Sequence, residues 1–484
     1  MKPRGDNALM ITPLTWTYSS QYLFELVSHL PWSMFLDSAN ATHQDARFDI
    51  IVFNPIATLI SHNNVLCFEP RLADEHQQTL STQFSDIQQR FLNNPQSPFD
   101  SLKYCLTQLY PIKHPCIYPF SGGALGALSY DLGRSVEHIT EKATKDIDFS
   151  ELSIGFYDQC LVYDYVNKNW VHIAYDGAAQ SHSIAATIEQ LIRLKSLPPA
   201  SCPSDTFSLT TDWHNQTSKQ TYLSHFNRVQ EYLLSGDCYQ INLTQRFEAQ
   251  YQGNEWQAYC QLTQANKAPF SAFIRLPKHT ILSISPERFI QLHGDNIQTK
   301  PIKGTLPRVD DTVLDKQQAA KLQLSEKDRA ENVMIVDLLR NDIGKVAAPG
   351  SVAVPQLFAI ESFPAVHHLV STVTATLASA YSATDLLKAC FPGGSITGAP
   401  KIRAMEIIEE LEPSRRSMYC GSIGYISQDG TMDTSITIRT LVTENNRIYC
   451  WAGGGVVADS NAEAEYQECF DKVSKILPLL KVIR

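Results

Sequence analysis

Two periodicities divide this chain. Runs rich in β-branched and aromatic residues, several with alternating apolar and polar positions, predict strands over residues 48–53, 238–247, 272–275, 296–300, 422–427, 434–442 and 448–452. Apolar positions spaced three and four apart predict helices over 183–195, 219–234, about 315–339, from Lys401 through Glu410, and in a last segment carrying residues 464–472. Ser235-Gly236-Asp237 ends the second of these helices, and strands and long helices alternate from there on. Residues 196–205 hold Pro198, Pro199 and Pro203 and read as a loop or linker. It separates an N-terminal region, 1–200, from a C-terminal region, 215–484. No internal repeat or low-complexity tract interrupts the pattern.

At 484 residues the chain exceeds the roughly 250–300 at which single cores stop growing, so two lobes or one large composite domain are expected. Its 43% hydrophobic and 19% charged content is that of an ordinary globular protein. A net charge of −10 argues against a nucleic-acid partner, which calls for clustered Lys and Arg. It also means that a small anionic substrate needs local positive charge or a bound cation. Eleven scattered cysteines without a CxxC pair point to free thiols in a reducing compartment. With no apolar signal core at the start and no run near the ~20 residues of a membrane span, a cytoplasmic location is expected.

Several residues carry candidate chemistry. Lys303 lies between Ile302 and Gly304, just beyond a strand. It is either a surface lysine in a turn or an amine that burial turns into a nucleophile. Asp328 and Glu331 share a helical face, as do Glu465 and Glu468, with Lys472 one turn on. Each pair is either a solvated face or part of an oxygen ligand set suited to Mg²⁺. Gly393-Gly394-Ser395-Ile396-Thr397-Gly398 opens a helix, and Gly453-Gly454-Gly455 follows a strand. Both turns expose backbone N–H groups to an anion. Arg439 offers a planar fork for a carboxylate or for a surface ion pair. Gly122-Gly123-Ala124-Leu125-Gly126 has no clean GxGxxG spacing and no preceding parallel strand. A strand packed closely on a neighbour is therefore expected there, not a dinucleotide site.

Taken together, Ser285-Pro286-Glu287-Arg288, Pro301-Ile302-Lys303-Gly304-Thr305, Arg329-Ala330-Glu331-Asn332, Arg340-Asn341-Asp342-Ile343-Gly344, His368-Leu369-Val370-Ser371, the 393–401 segment, Ile438-Arg439-Thr440, Ala452-Gly453-Gly454-Gly455 and Glu465-Tyr466-Gln467-Glu468 resemble the chorismate-utilising enzymes. The likeness spans the chain and is tightest from Lys219 onward. It implies an α+β fold, a large composite antiparallel β-sandwich with flanking helices and a cleft for chorismate. It further implies Mg²⁺ held by Glu331 and Glu468, with Asp328 and Glu465 as direct or water-mediated partners. Substrate contacts would come from Thr305, Tyr425, Arg439, Gly453, Gly454, Gly455 and Lys472, and catalysis from Lys303, Glu287 and His368.

Within the family, the resemblance implies exchange of the ring hydroxyl at C4 for an amino group, on the route to 4-aminobenzoate and folate. Anthranilate-forming relatives typically carry alanine where Lys303 stands. Isochorismate- and salicylate-forming ones carry a water-activating lysine where this chain has Gln240, and an amide cannot act as that base. Anthranilate formation remains the alternative, and a tryptophan-binding regulator without turnover is a third. The sequence has no Gly-x-Cys-x-Gly nucleophile turn, so ammonia is expected from a separate glutamine amidotransferase subunit. Ser38, Arg47, Phe48, Pro269, Phe270 and Ser271 resemble the family's tryptophan pocket, with Ala46 departing from its usual serine.

Overall fold

The computed structural model describes residues 9–41, 43–71, 74–93, 97–175, 183–195, 206–362 and 366–482. The expected loop at 196–205 lies outside them. Two large sheets dominate, of thirteen and eleven strands among the described residues. Both draw on early and late parts of the chain. Met34–Asp37 pairs antiparallel with Phe270–Arg275 in the first sheet, and Gly123–Leu128 with Ser422–Ser427 in the second. The stretches before and after the 196–205 segment therefore share both sheets.

Alternation along the strands of the first sheet sorts side chains between two cores. Met34, Ile50, Ile274 and Ile281 face a core shared with the second sheet. Their chain neighbours Phe35, Ile51, Phe273 and Leu282 face another, covered by helices. The helix Lys219–Leu234 shows how local sequence sets this up. Ser218 caps its start by accepting from the Thr221 N–H, and Tyr222, Phe226 and Val229 bury one face. Gly236, at φ +80°, lets the chain turn away.

The glycine-rich segment is a strand, Gly123–Leu128, in close contact with its neighbours. A Cβ on Gly123 would lie 2.3 Å from the Ile426 carbonyl, and one on Gly126 would lie 2.1 Å from that of Ser153. Among the described residues every cysteine is a free thiol, and no helix is long and apolar enough to cross a membrane.

Two expected elements are divided. The helix expected over 315–339 is two, Thr312–Leu324 and Glu326–Gly344. Ser325 adopts an extended ψ that ends the first, while its hydroxyl accepts the Asp328 N–H and starts the second. The strand expected over 434–442 is also two. Met432–Ile436 belongs to the second sheet and Thr440–Glu444 to the first, so the chain crosses between sheets at residues 437–439. Arg439 makes the turn at φ +49°. A second crossing lies beside it, between His279–Ser285 in the first sheet and Arg288–His293 in the second. The crossings are tied together by Ile436 N–H to the Glu287 carbonyl (3.1 Å) and Ile284 N–H to the Arg439 carbonyl (3.1 Å).

Candidate active site

Glu287 and Arg439 owe their places to these crossings. A residue at a crossing is neither on the outer face of a sheet nor in its ladder, so its side chain can enter the gap between the layers. Glu287 is buried, and its Oε1 accepts the Ser395 hydroxyl at 3.0 Å. Burial pushes its carboxyl up to about 7, against the opposing pull of Lys303, the Ser395 hydroxyl, Lys472 and Arg439. Burial likewise lowers the guanidinium of Arg439, which Glu287 counteracts.

Lys303 sits on Ile302–Pro307, an edge strand of the second sheet whose register slips between Ile302 and Thr305. It is a strand residue, not a turn residue, and its amine points inward to the Ser395 carbonyl at 3.2 Å. Burial lowers the amine pKa, opposed by Glu331, Glu287 and Glu468 and reinforced by Lys472. Gly304, at φ +77°, is required twice over. A Cβ there would meet Asp328 Oδ1 at 2.8 Å and Leu322 Cδ1 at 2.9 Å. On the neighbouring strand, His368 Nδ1 lies 2.8 Å from the Thr305 hydroxyl. Burial, aided by Arg439, takes the imidazole down to about 3, so it is neutral at ordinary pH.

The acidic pairs converge from two helices, Glu326–Gly344 and Ala462–Val473. Burial raises the Glu331 carboxyl, with Asp328 and Glu465 adding to the rise. Burial also raises Glu465, whose Oε1 accepts the Ser460 hydroxyl at 2.7 Å, and Glu468 adds to it. Burial would raise Glu468 too, but Lys472, 2.7 Å away, outweighs it and lowers the group. Lys327 stands 3.9 Å from both Glu331 and Glu465.

Among the described residues no group of three or more acidic, histidine or cysteine side chains is set to hold a metal ion unaided. The donor chemistry nevertheless fits Mg²⁺. Beyond burial, Asp328 and Glu465 raise the Glu331 carboxyl and Glu468 raises that of Glu465, and this ion takes few protein ligands while keeping waters and substrate oxygens.

Gly453, Gly454 and Gly455 close the site from within the strand Arg447–Val456, paired with Thr244, Leu243 and Asn242, and not from a turn after a strand as expected. Gly454 lets Glu465 and Glu468 approach the backbone, for its Cβ would lie 3.0 and 3.4 Å from their carboxylate oxygens. Gln240 Nε2 occupies the space a Cβ on Gly455 would take, and Lys472 Nζ donates to the Gly453 carbonyl at 2.8 Å.

Lys303, Glu287, His368, Thr305, Arg439, Lys472, the three glycines and the four carboxylates are thus drawn to one region. Tyr425 is not with them. On the ladder where Tyr425 faces Asp433, it lines a second cavity with Arg288, on the other side of the strand that follows Glu287. Ser395 is the residue that sequence reasoning passed over. Its loop was legible as a glycine turn, but nothing local announces that its hydroxyl and carbonyl serve two different side chains.

The second cavity, about 460 Å³, is lined by Ser38, Arg47, Phe48, Pro269, Phe270 and Ser271 together with Tyr425, Arg288 and Asp433. Arg288 holds Asp433 through Nε and Nη2, each at 2.9 Å, and Asp45 through Nη1 at 2.9 Å.

Residues 33–478 match the family of chorismate binding enzymes. The chain is 51% identical over 468 residues to aminodeoxychorismate synthase component 1 of Klebsiella aerogenes, covering 96% of this chain and 97% of that one. It is 50% identical over 474 residues to the protein of the same description from Escherichia coli strain K12, covering 98% of each. Among solved structures, anthranilate synthase component I from Streptococcus pneumoniae TIGR4 superposes with a TM-score of 0.75 at 30% identity, covering 89% of this chain and 92% of that one. An α+β architecture of two antiparallel sheets and a match across almost the whole length agree, and the chain belongs to the chorismate binding enzymes.

Proposed function

We propose that this chain binds chorismate in the cleft around Lys303 and replaces the C4 hydroxyl with an amino group, giving 4-amino-4-deoxychorismate for 4-aminobenzoate and folate synthesis. The observation that carries this reading is the pairing of a part-buried amine with a buried, protonatable carboxyl through one residue, Ser395. An amine held below its ordinary pKa supplies the neutral nucleophile, and a carboxyl near 7 supplies the acid. The two roles fall to groups whose environments bring their titrations toward one another.

Neutral Lys303 Nζ forms a bond to C2 while the ring double bonds shift and the C4–O bond breaks. The departing oxygen takes the Glu287 proton and leaves as water. Ammonia then bonds at C4, the double bonds shift back, and the C2–N bond breaks to return the lysine amine. The ammonium formed at C4 gives a proton to Glu287. The sum is chorismate plus ammonia to the amino compound plus water.

Arg439, whose guanidinium makes no hydrogen bond or close ion pair among the described residues, takes a substrate carboxylate. Lys472 and the amides of Gly453 to Gly455 hold the other anionic groups. Glu331, Glu468, Glu465 and Asp328 would hold Mg²⁺, which when bound neutralises the ring carboxylate. Neutral His368, fixed by Thr305, offers a hydrogen bond without charge.

Ammonia comes from a glutamine amidotransferase subunit. The relatives are described as component 1, and the sequence carries no glutaminase nucleophile turn. The second cavity suits L-tryptophan, with Phe48 and Phe270 for the ring and Arg47, Ser38 and Ser271 for the amino-acid end. The free thiols fit a cytoplasmic setting.

Product identity tests the reading. Incubation with chorismate, Mg²⁺ and ammonium should release no pyruvate and yield a non-aromatic amino compound. Fluorescent anthranilate with stoichiometric pyruvate would instead assign direct amination at C2.

A further inference from the structure

Arg416 lies behind the site, touching none of the groups assigned to chemistry. Its side chain is 1% exposed. The guanidinium has five N–H donors, and four are used. Nε donates to Glu412 Oε2 at 2.9 Å, Nη2 to Glu412 Oε1 at 2.7 Å and to the Asn242 carbonyl at 2.6 Å, and Nη1 to the Ile396 carbonyl at 2.9 Å. Glu412 is bound in turn by the N–H and hydroxyl of Thr244. Asn242 grips the same loop, its amide Nδ2 donating to the Ile396 carbonyl at 3.0 Å and its N–H to the Thr397 carbonyl at 2.9 Å. The far face of Arg416 covers the Tyr130 ring, 4.9 Å from its centroid. One side chain thus joins the 393–400 loop, the strand Gln240–Gln252, the end of the helix Lys401–Leu411 and the segment around Tyr130.

We infer that Arg416 is a positioning residue for the reacting pair: by fixing the Ile396 carbonyl it sets the preceding residue, Ser395, so that its carbonyl meets Lys303 and its hydroxyl meets Glu287. Gly393 and Gly394 precede Ser395, and the Thr397 hydroxyl returns to the Gly393 carbonyl, within the same loop. The loop is therefore braced from outside by Arg416 and Asn242. A displacement of about 1 Å at such a pair costs on the order of a hundredfold in rate. Lysine cannot replace the guanidinium here, because one nitrogen cannot reach four acceptors spread along a planar fork.

This inference rests on the roles proposed for Lys303 and Glu287, and the experiment separates the two. Amination rates with ammonium are measured against chorismate concentration and pH for the unaltered protein, Arg416→Lys, Asn242→Leu and Lys303→Ala, with circular dichroism as the folding check. Arg416→Lys should lower kcat by at least about tenfold with KM changed less than about threefold. It should also move the alkaline limb of kcat/KM to higher pH. A loosened Ser395 no longer lowers Glu287 by its hydroxyl, while Lys303, Lys472, Arg439 and the Cys420 thiol, the other groups facing Glu287, stay in place. Asn242→Leu removes one grip on the same carbonyl and should act in the same direction, which keeps the test open if Arg416→Lys folds poorly. A remote core variant, Phe68→Leu, should lose stability with kcat and the pH limb unmoved. If both loop variants keep the unaltered kcat and pH limb while Lys303→Ala is inactive, Arg416 is only structural and the inference falls. Full activity in Lys303→Ala would overturn the covalent role proposed for Lys303.

Discussion

Glu287 and Lys303 are joined through one residue. The Ser395 hydroxyl donates to Glu287 Oε1 at 3.0 Å and the Ser395 carbonyl accepts from Lys303 Nζ at 3.2 Å. Acid and nucleophile therefore share one mount, on a loop that belongs to neither of their strands.

Replacing Lys303 by alanine removes the covalent route, and the C4 amination rate should fall by about a thousandfold or more, the scale on which loss of an activated nucleophile is felt. Lys303→Arg should be no better, since a guanidinium stays protonated at every working pH. Steady-state assay with ammonium as nitrogen source checks both.

Glu287 carries a stability signature distinct from its chemistry. Its folded pKa, about 7, lies above the ordinary 4.5. Between those values the unfolded chain binds fewer protons than the folded one, so this group's contribution to stability falls as pH rises and is fully lost above about 7. Glu287→Gln removes that penalty. It should therefore gain stability relative to the unaltered protein as pH rises from 4.5 to 7, by up to about 3 kcal/mol. It should also cost roughly a hundredfold or more in rate. Urea unfolding at several pH values, with the assay alongside, reads both.

Repulsion among the acidic helices gives a test of cation binding. Glu331→Gln relieves the burial and like-charge strain on Glu331 and Glu465. The metal-free variant should be at least as stable as the unaltered protein, yet lose the rise in Tm that Mg²⁺ produces. Scanning fluorimetry with chelator and with Mg²⁺ distinguishes this from simple damage, which would lower Tm in both.

His368 should stay neutral throughout the working range, because burial takes it to about 3. Its imidazole resonances should not titrate between pH 5 and 8, and no limb of the rate profile in that window should vanish in His368→Gln. Heteronuclear NMR of the histidine side chains reads the first and kinetics the second.

The ion pairs beyond Glu287 make a further prediction. Arg288 is nearly enclosed and grips Asp433 with two nitrogens. Arg288→Ala leaves the part-buried Asp433 with only the Gln291 amide and takes the cation from Asp45 as well; it should cost about 3 kcal/mol, whereas Arg288→Met with Asp433→Leu should cost far less. Urea denaturation of the two variants gives the comparison.

Much of this was legible in the residues. The helix Lys219–Leu234 falls where periodicity puts it because it buries one face with a short-range repeat, and the strand Ser422–Ser427 because a short apolar run buried on both faces is bounded by turns. Lys303, Glu331 and Glu468 were marked by residue type and local spacing. What escaped depends on long-range pairing. The crossing at residues 437–439 looks like continuous strand, since its residues suit a strand and only the partner sheets differ. Tyr425 is expected beside Arg439 from the family resemblance and from strands read as adjacent, yet the chain crosses between sheets before Arg439 and Tyr425 lines the second cavity. Ser325 splits a helix through a hydroxyl cap that apolar spacing does not register.

Mass spectrometry of the protein after mixing with chorismate and Mg²⁺, without ammonia, tests the covalent role of Lys303 most directly. The prediction is an added mass of chorismate less water, located on the peptide containing Lys303 and discharged on adding ammonium. A preparation that turns over with ammonium but never carries that mass on Lys303, at any pH across its active range, would contradict it.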